Sequence, residues 1–165
     1  MSFINDPMMK EIVDDFCAEA EDLFNQLDSC IQKLENNPLD TAELEKYGQI
    51  IDRIMGAAKS IGASEIATFC ELGKVIGYKS SQTREVPLLE VVVAILGDTI
   101  DMLRKMLKAL KLGDDQCLNK LNTKAFVTRL QWLSAKFKDI ERSSCAIDGN
   151  LKQSSIDDLL ESLGL

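Results

Sequence analysis

Apolar residues recur every three or four positions along most of the chain, which is the spacing of amphipathic helices. No alternating run typical of a strand interrupts this pattern. It predicts an all-α protein, an antiparallel bundle of four or five helices joined by short loops. The predicted helices are Pro7 to about Asn36, the stretch 40–62, Ser64 to about Tyr78, Pro87 to about Lys111, and about Thr123 to Ser143. Ser64 is expected to cap the third helix, and Trp132 is expected to pack in the core or between helices.

The second of these helices has two sharply different faces. Asp40 and Glu43 predict a capping box at its start, and Gly62 is a natural stop. The apolar face is expected to carry Leu44, Tyr47, Ile50, Ile51, Ile54, Ala57, Ala58 and Ile61. The polar face is expected to carry Glu45, Gln49, Asp52, Gly56, Lys59 and Ser60.

Gly56 is unusual because it lies in the middle of the polar face. A glycine inside a helix costs about 1 kcal/mol relative to alanine, and no core packing at that position can require it. Bare backbone beside Gln49 and Asp52 suits a helix that another protein approaches closely. The alternative is a glycine that is merely tolerated on a solvated face.

The helical pattern stops after Ser143, which predicts a bundle over 1–143, a linker over 144–155 and a short tail over 156–165. Ser155 and Asp158 predict a capping box for that tail. Its apolar stripe comprises Ile156, Leu159, Leu160 and Leu163. Since a short isolated helix is marginal in water, the stripe either docks on its own bundle or binds a groove of a partner.

Composition narrows the classes of function. The net charge of −8 argues against nucleic acid or an anionic membrane as partner. The longest uncharged apolar run, Val91 to Gly97, is far too short to span a bilayer, and no signal peptide is visible. The five cysteines show no metal-binding spacing and predict reduced thiols in a cytoplasmic protein.

The chain contains no histidine. This excludes Ser-His-Asp and Cys-His catalysis and any phosphohistidine intermediate. It also removes the usual zinc ligand, and the sequence indicates no cofactor of its own.

The tail resembles the C-terminal segment with which chemotaxis phosphatases of the CheZ type bind their response regulator. That segment has the form DDLL-x-SLG plus one apolar residue, matched here by Asp157, Asp158, Leu159, Leu160, Ser162, Leu163, Gly164 and Leu165. The same family has an acidic residue and a glutamine four positions apart on its active helix, with an arginine four positions further on. Glu45, Gln49 and Arg53 match these positions, and Gly48 also agrees. Glu45 stands where the family usually has aspartate.

The bundle resembles a histidine phosphotransfer (HPt) domain. The stretch 52–63 is similar to that family's His-x-Leu-Lys-Gly-x-Ala-x-x-Ile-Gly-Ala motif. Asp52 replaces the phosphorylatable histidine and Met55 the lysine. The matching positions are Gly56, Ala58, Ile61, Gly62 and Ala63, with Ile54 for the leucine. These replacements remove phosphotransfer and leave the scaffold.

Together the resemblances imply a phosphatase that acts on the phosphoaspartate of a CheY-like response regulator, with Mg²⁺ held by the regulator. Gln49 would orient the attacking water, and Glu45 would pair with a lysine of the regulator. Asp52, Arg53, Gly56, Lys59 and Ser60 would contact the regulator, and so would the tail. A degenerate phosphotransfer domain that only sequesters the regulator is the first alternative, and a structural bundle with a self-docked tail is the second. The oligomeric state stays open, a homodimer included.

Overall fold

The structure is a computed structural model that describes residues 6–114, 118, 121–143 and 155–165, and only the backbone of 141–143. The predicted all-helical class is confirmed for these residues. The helices are α1 (Pro7–Asn36), α2 (Thr41–Ser60), α3 (Ser64–Ser80), α4 (Val86–Lys111), α5 (Lys124–Ser143) and α6 (Ile156–Ser162). Residues 144–154 of the predicted linker, together with Cys117 and Cys145, lie outside the described part of the chain.

The first four helices form a closed bundle. Helix α1 packs on α2, α2 on α3, α3 on α4, and α4 returns to α1. Their inward residues form one continuous core, because each helix presents an apolar stripe to its two neighbours. Helix α5 lies against α4, and Phe126 stacks on Phe69 of α3 with ring centroids 5.5 Å apart.

The helix starts show how local chemistry positions α2. The Asp40 carboxylate accepts a hydrogen bond from the Glu43 backbone N–H at 3.2 Å, which is one half of the predicted capping box. The Glu43 side chain is engaged elsewhere, since the Lys33 ammonium donates to its Oε1 at 3.0 Å. This bond lowers the pKa of Glu43 and ties α1 to the start of α2.

Two local predictions are wrong. Ser64 does not cap α3: it is the first helical residue, and Ala63 occupies the cap position without a side-chain hydrogen bond. The turn before it depends on Gly62, whose φ of 76° favours glycine. Trp132 is not a core residue, because 44% of it is exposed and the Lys136 ammonium lies 5.6 Å from the centroid of its ring.

Helices α2 and α3 meet over two glycines of α3. A Cβ added to Gly73 would lie 3.5 Å from the Tyr47 hydroxyl oxygen and 3.9 Å from Ile51 Cδ1. A Cβ added to Gly77 would lie 4.0 Å from the Tyr47 ring. The ring of Tyr47 is thus fully buried against the glycine face of α3.

Cys17, Cys30 and Cys70 are buried free thiols. Burial raises the pKa of Cys17 and of Cys30 to about 11, so both remain protonated and unreactive at neutral pH. Among the described residues no helix combines the length and the apolar character needed to cross a membrane.

Candidate functional site on the exposed face of α2

The exposed side of α2 carries every residue that the sequence assigned to this site. At 100° per residue, Glu45, Gln49 and Gly56 lie along its centre. Asp52 and Lys59 lie on the flank toward α3, while Arg53 and Ser60 lie on the flank toward α1. All seven residues are exposed.

An ion pair borders this face on each side. The Lys74 ammonium of α3 donates to Asp52 Oδ1 at 2.8 Å. The Arg53 guanidinium lies 3.4 Å from Glu19 Oε1 of α1. Exposed pairs of this kind contribute little to stability, about 0–1 kcal/mol. Their effect here is to hold the two flanking charges away from the centre of the face.

Sequence reasoning did not identify Lys74 or Glu19 as part of this surface. Lys74 interrupts the apolar pattern of α3, which marks it as exposed but does not say which helix it faces. The pairing depends on how α3 is rotated against α2. Only the three-dimensional packing provides that information.

Two glycines leave the backbone of this face uncovered. A Cβ placed on Gly56 would have no neighbouring atom within 4 Å, and the same holds for Gly48. The Ser60 hydroxyl donates to the Gly56 carbonyl at 3.0 Å, so part of the polar backbone there is already satisfied. The interpretation of Gly56 as an exposed glycine with no packing role therefore agrees with the structure.

Glu45 and Gln49 project from this open stretch. They are one helical turn apart, which is about 6 Å along the helix axis. In the described part of the chain neither side chain makes a hydrogen bond or ion pair. Glu45 therefore offers an unpaired carboxylate, and Gln49 offers an amide that can both donate and accept.

The tail is folded and docked. In α6 the Ser155 hydroxyl accepts from the Asp158 backbone N–H at 3.1 Å, and Asp158 Oδ2 accepts from the Ser155 N–H at 3.3 Å, which confirms the predicted capping box. Ile156, Leu159 and Leu160 are buried, with exposures of 1%, 4% and 3%. They pack in the region where α6 lies against α3 and α5.

The remaining tail residues differ in their surroundings. Leu163 and Leu165 are partly buried against the core, and Asp158 is exposed. The Lys138 ammonium of α5 donates to Asp157 Oδ2 at 2.5 Å. This bond is the main reason that the pKa of Asp157 is lowered. The apolar stripe is thus occupied by the bundle itself, and the structure does not bring the tail onto the face of α2.

No group of three or more His, Cys, Asp or Glu side chains in the described ranges could hold a metal ion. No protein-family model matches the chain, and no curated protein or solved structure is significantly similar to it.

Proposed function

We propose that this protein accelerates hydrolysis of the phosphoaspartate of a CheY-like response regulator. The observation that carries the proposal is the geometry of α2: an unpaired carboxylate and an unpaired carboxamide, one turn apart, on a helix face with two uncovered glycines. Such a face can approach another protein closely and place a glutamine at its reactive group.

The chemistry requires little from this chain. Hydrolysis of an acyl phosphate needs a water in line with the phosphorus, and positioning provides much of the rate. Gln49 would hold that water by accepting a hydrogen bond from it at Oε1. Glu45 would anchor the complex by pairing with a basic side chain of the regulator. The Mg²⁺ that the reaction uses would belong to the regulator.

The position of Asp52 is consistent with a protein that removes phosphate and does not relay it. A carboxylate that accepts from Lys74 stands where a phosphotransfer domain needs an imidazole nitrogen. The chain therefore has no histidine to accept the phosphoryl group, which would be transferred to water instead. The bundle could still fit the same partner.

The tail would act after release from its docked position. Leu159 and Leu160 are buried in the bundle, so a regulator groove that takes the stripe has to compete with α3 and α5. Binding through the tail would then be weaker for the intact chain than for the isolated segment.

The alternative function, sequestration without hydrolysis, is favoured by one observation. Since no described neighbour holds Gln49 or Glu45 in place, their orientation would have to be fixed by the partner. A protein that binds the regulator through this face without orienting a water would sequester it.

The test is phosphate release from a regulator charged with acetyl phosphate and Mg²⁺, with and without this protein. We expect the wild-type protein to accelerate release and Gln49→Ala to reduce the maximal rate at least tenfold with little change in half-saturation, because water positioning acts in the transition state. Gln131→Ala, an exposed glutamine on α5, is the matched control and should behave as wild type.

The outcomes separate the candidates. If the regulator binds but its dephosphorylation is not accelerated, sequestration is the function. If Gln49→Ala hydrolyses at the wild-type rate when the regulator is saturating, Gln49 does not orient the water and the assignment of this site is wrong.

A further inference from the structure

The ion pair between Lys74 and Asp52 lies beside Gln49, the residue proposed to orient the water. Residues three or four positions apart on a helix are neighbours on its surface, with Cβ atoms about 5–6 Å apart. Asp52 and Gln49 are three positions apart, and both are exposed. A phosphoryl group that Gln49 serves would therefore arrive within one helical turn of the Asp52 carboxylate.

Among the side chains of α2 that are neighbours of Asp52, only that of Gln49 donates hydrogen bonds. The neighbouring positions, three or four residues away, are Gly48, Gln49, Met55 and Gly56. A free Asp52 carboxylate would thus repel the anionic phosphoryl group, and it would compete for the amide that has to hold the water.

In the structure, Asp52 is engaged by α3 instead. The Lys74 ammonium donates to Asp52 Oδ1 at 2.8 Å, which is a charge-assisted hydrogen bond. About half of each side chain is open to solvent, 45% for Lys74 and 49% for Asp52. The pair therefore contributes little to stability. Its main effects are to compensate the charge of Asp52 and to draw the carboxylate toward α3.

The other cations of α2 near this face do not pair with Asp52. Arg53, the next residue, lies 3.4 Å from Glu19 on the opposite flank of the helix. Lys46 is six positions away from Asp52, which places it about 120° around the helix. Lys59 is seven positions away, about 10 Å along the axis. Among the described residues, the cation that compensates Asp52 is thus supplied by α3.

The remaining charged residues of α3 cannot take over this role. Glu65 and Glu71 are negative. Lys79 is close enough to Asp157 of α6 to contribute to its lowered pKa, so its charge acts on the tail. Without the ion pair, the carboxylate on α2 would be uncompensated.

We propose that Lys74 is a positioning residue for the dephosphorylation reaction. It acts through Asp52, by holding and neutralising a carboxylate that would otherwise repel the phosphoryl group and engage Gln49. This inference rests on the proposed function. It adds to that function a residue of α3, outside the helix that carries the reactive pair.

The experiment measures the catalytic efficiency, which is the maximal rate divided by the half-saturating concentration of phosphorylated regulator. Lys74→Met should lower it about threefold to tenfold, the effect of one uncompensated charge a turn away from the phosphoryl group. Lys74→Arg keeps the positive charge and should stay within about twofold of wild type. Lys108→Met removes an exposed lysine of α4 and is the control for the change in net charge.

A double variant decides whether Lys74 acts through Asp52. When Lys74→Met is combined with Asp52→Ala, the unpaired carboxylate is gone, so the efficiency should return to within about twofold of wild type. The loss caused by Lys74→Met alone should also shrink as salt is added, because salt screens exposed charges. A damaged bundle would show neither effect, and the melting temperatures of all variants should stay close to that of wild type.

The failures can be told apart. If the wild-type protein neither binds nor dephosphorylates the regulator, the proposed function is wrong and the role of Lys74 falls with it. If the wild-type protein is active and Lys74→Met has wild-type efficiency, the proposed function stands and Lys74 is not a positioning residue. If the double variant is as impaired as Lys74→Met, Lys74 does not act through Asp52, and the inference is equally overturned.

Discussion

At the scale of single residues, the uncovered glycines carry the most information about α2. A glycine in a helix interior is disfavoured because its backbone loses more conformational freedom on folding. Gly48 and Gly56 carry this cost without any compensating packing, since a Cβ at either position would touch nothing within 4 Å. Close approach of another backbone or of a bulky partner side chain is the physical role that fits both.

Gly56 permits a direct test of this interpretation. Gly56→Ala should raise the free energy of unfolding by about 0.5–1 kcal/mol, because the new methyl group enters open space and lowers the backbone entropy of the unfolded chain. Gly56→Leu should also be at least as stable as wild type, yet it should weaken engagement of the regulator. Thermal denaturation and the half-saturating regulator concentration are the two measurements.

A lower melting temperature for Gly56→Ala would show that the position is not open. Wild-type regulator affinity for a stable Gly56→Leu variant would show that no partner approaches there.

Residue exposure on α2 could be predicted from the sequence because a 3.6-residue period assigns each side chain to a face. The pairing of Asp52 with Lys74 could not. It depends on how α3 sits against α2, where the Tyr47 ring packs against Gly73 and Gly77.

At the scale of elements, α6 is the least expected feature. Its boundaries and capping box follow from local sequence, because Ser155 and Asp158 are close enough to satisfy each other. Its location does not follow, since an apolar stripe of three or four residues fits its own bundle or a partner equally well. The contacts with α3 join residues that are far apart in the sequence, so no local pattern predicts them.

Docking of α6 should respond to acid through Asp157. The bond from Lys138 lowers the pKa of Asp157 below its ordinary value of 3.8, so the docked state favours the ionised carboxylate. The stabilisation of the docked α6 by the ionised Asp157 carboxylate is complete above pH 3.8, and it is lost as the pH falls through the lowered pKa. We therefore expect no effect of this group between pH 5 and 8, and release of α6 in stronger acid.

Methyl NMR shifts of Leu159 and Leu160 report the docking directly. Asp157→Asn should show a larger undocked population at neutral pH and should lose the acid response. An acid response of the same size in Asp157→Asn would assign it to other groups.

At the scale of the whole molecule, four helices form the closed bundle while α5 and α6 are added along one side of it. The bundle could be predicted from helix count and short loops. The relative placement of the α2 face and the tail could not, because no pattern in the sequence relates the positions of the two.

Two changes at the tail should act in opposite directions on regulator binding. Deleting Ile156–Leu165 should raise the half-saturating regulator concentration by removing one contact. Lys138→Ala should lower it, because it weakens docking while leaving the tail and α2 unchanged. Lys136→Ala, on the same helix beside Trp132, is the control and should match wild type.

Titration calorimetry of the regulator with the wild-type protein and the three variants provides the measurement. Equal affinities for Lys138→Ala and wild type would mean that docking does not compete with the regulator. Unchanged affinity after the deletion would mean that the tail is a structural part of the bundle.

The packing of Tyr47 of α2 against α3 has a consequence for the order in which the chain folds. The two helices are neighbours in sequence, their turn is closed by Gly62, and their contacts join residues only about two to three dozen positions apart. Local contacts of this kind cost little loop entropy and are expected to form early. In pulse-labelled hydrogen exchange during refolding, amides of α2 and α3 should gain protection before those of α6. The exposed face of α2 would then be in place before the tail reaches its docking site, and a chain still emerging from the ribosome could already present that face.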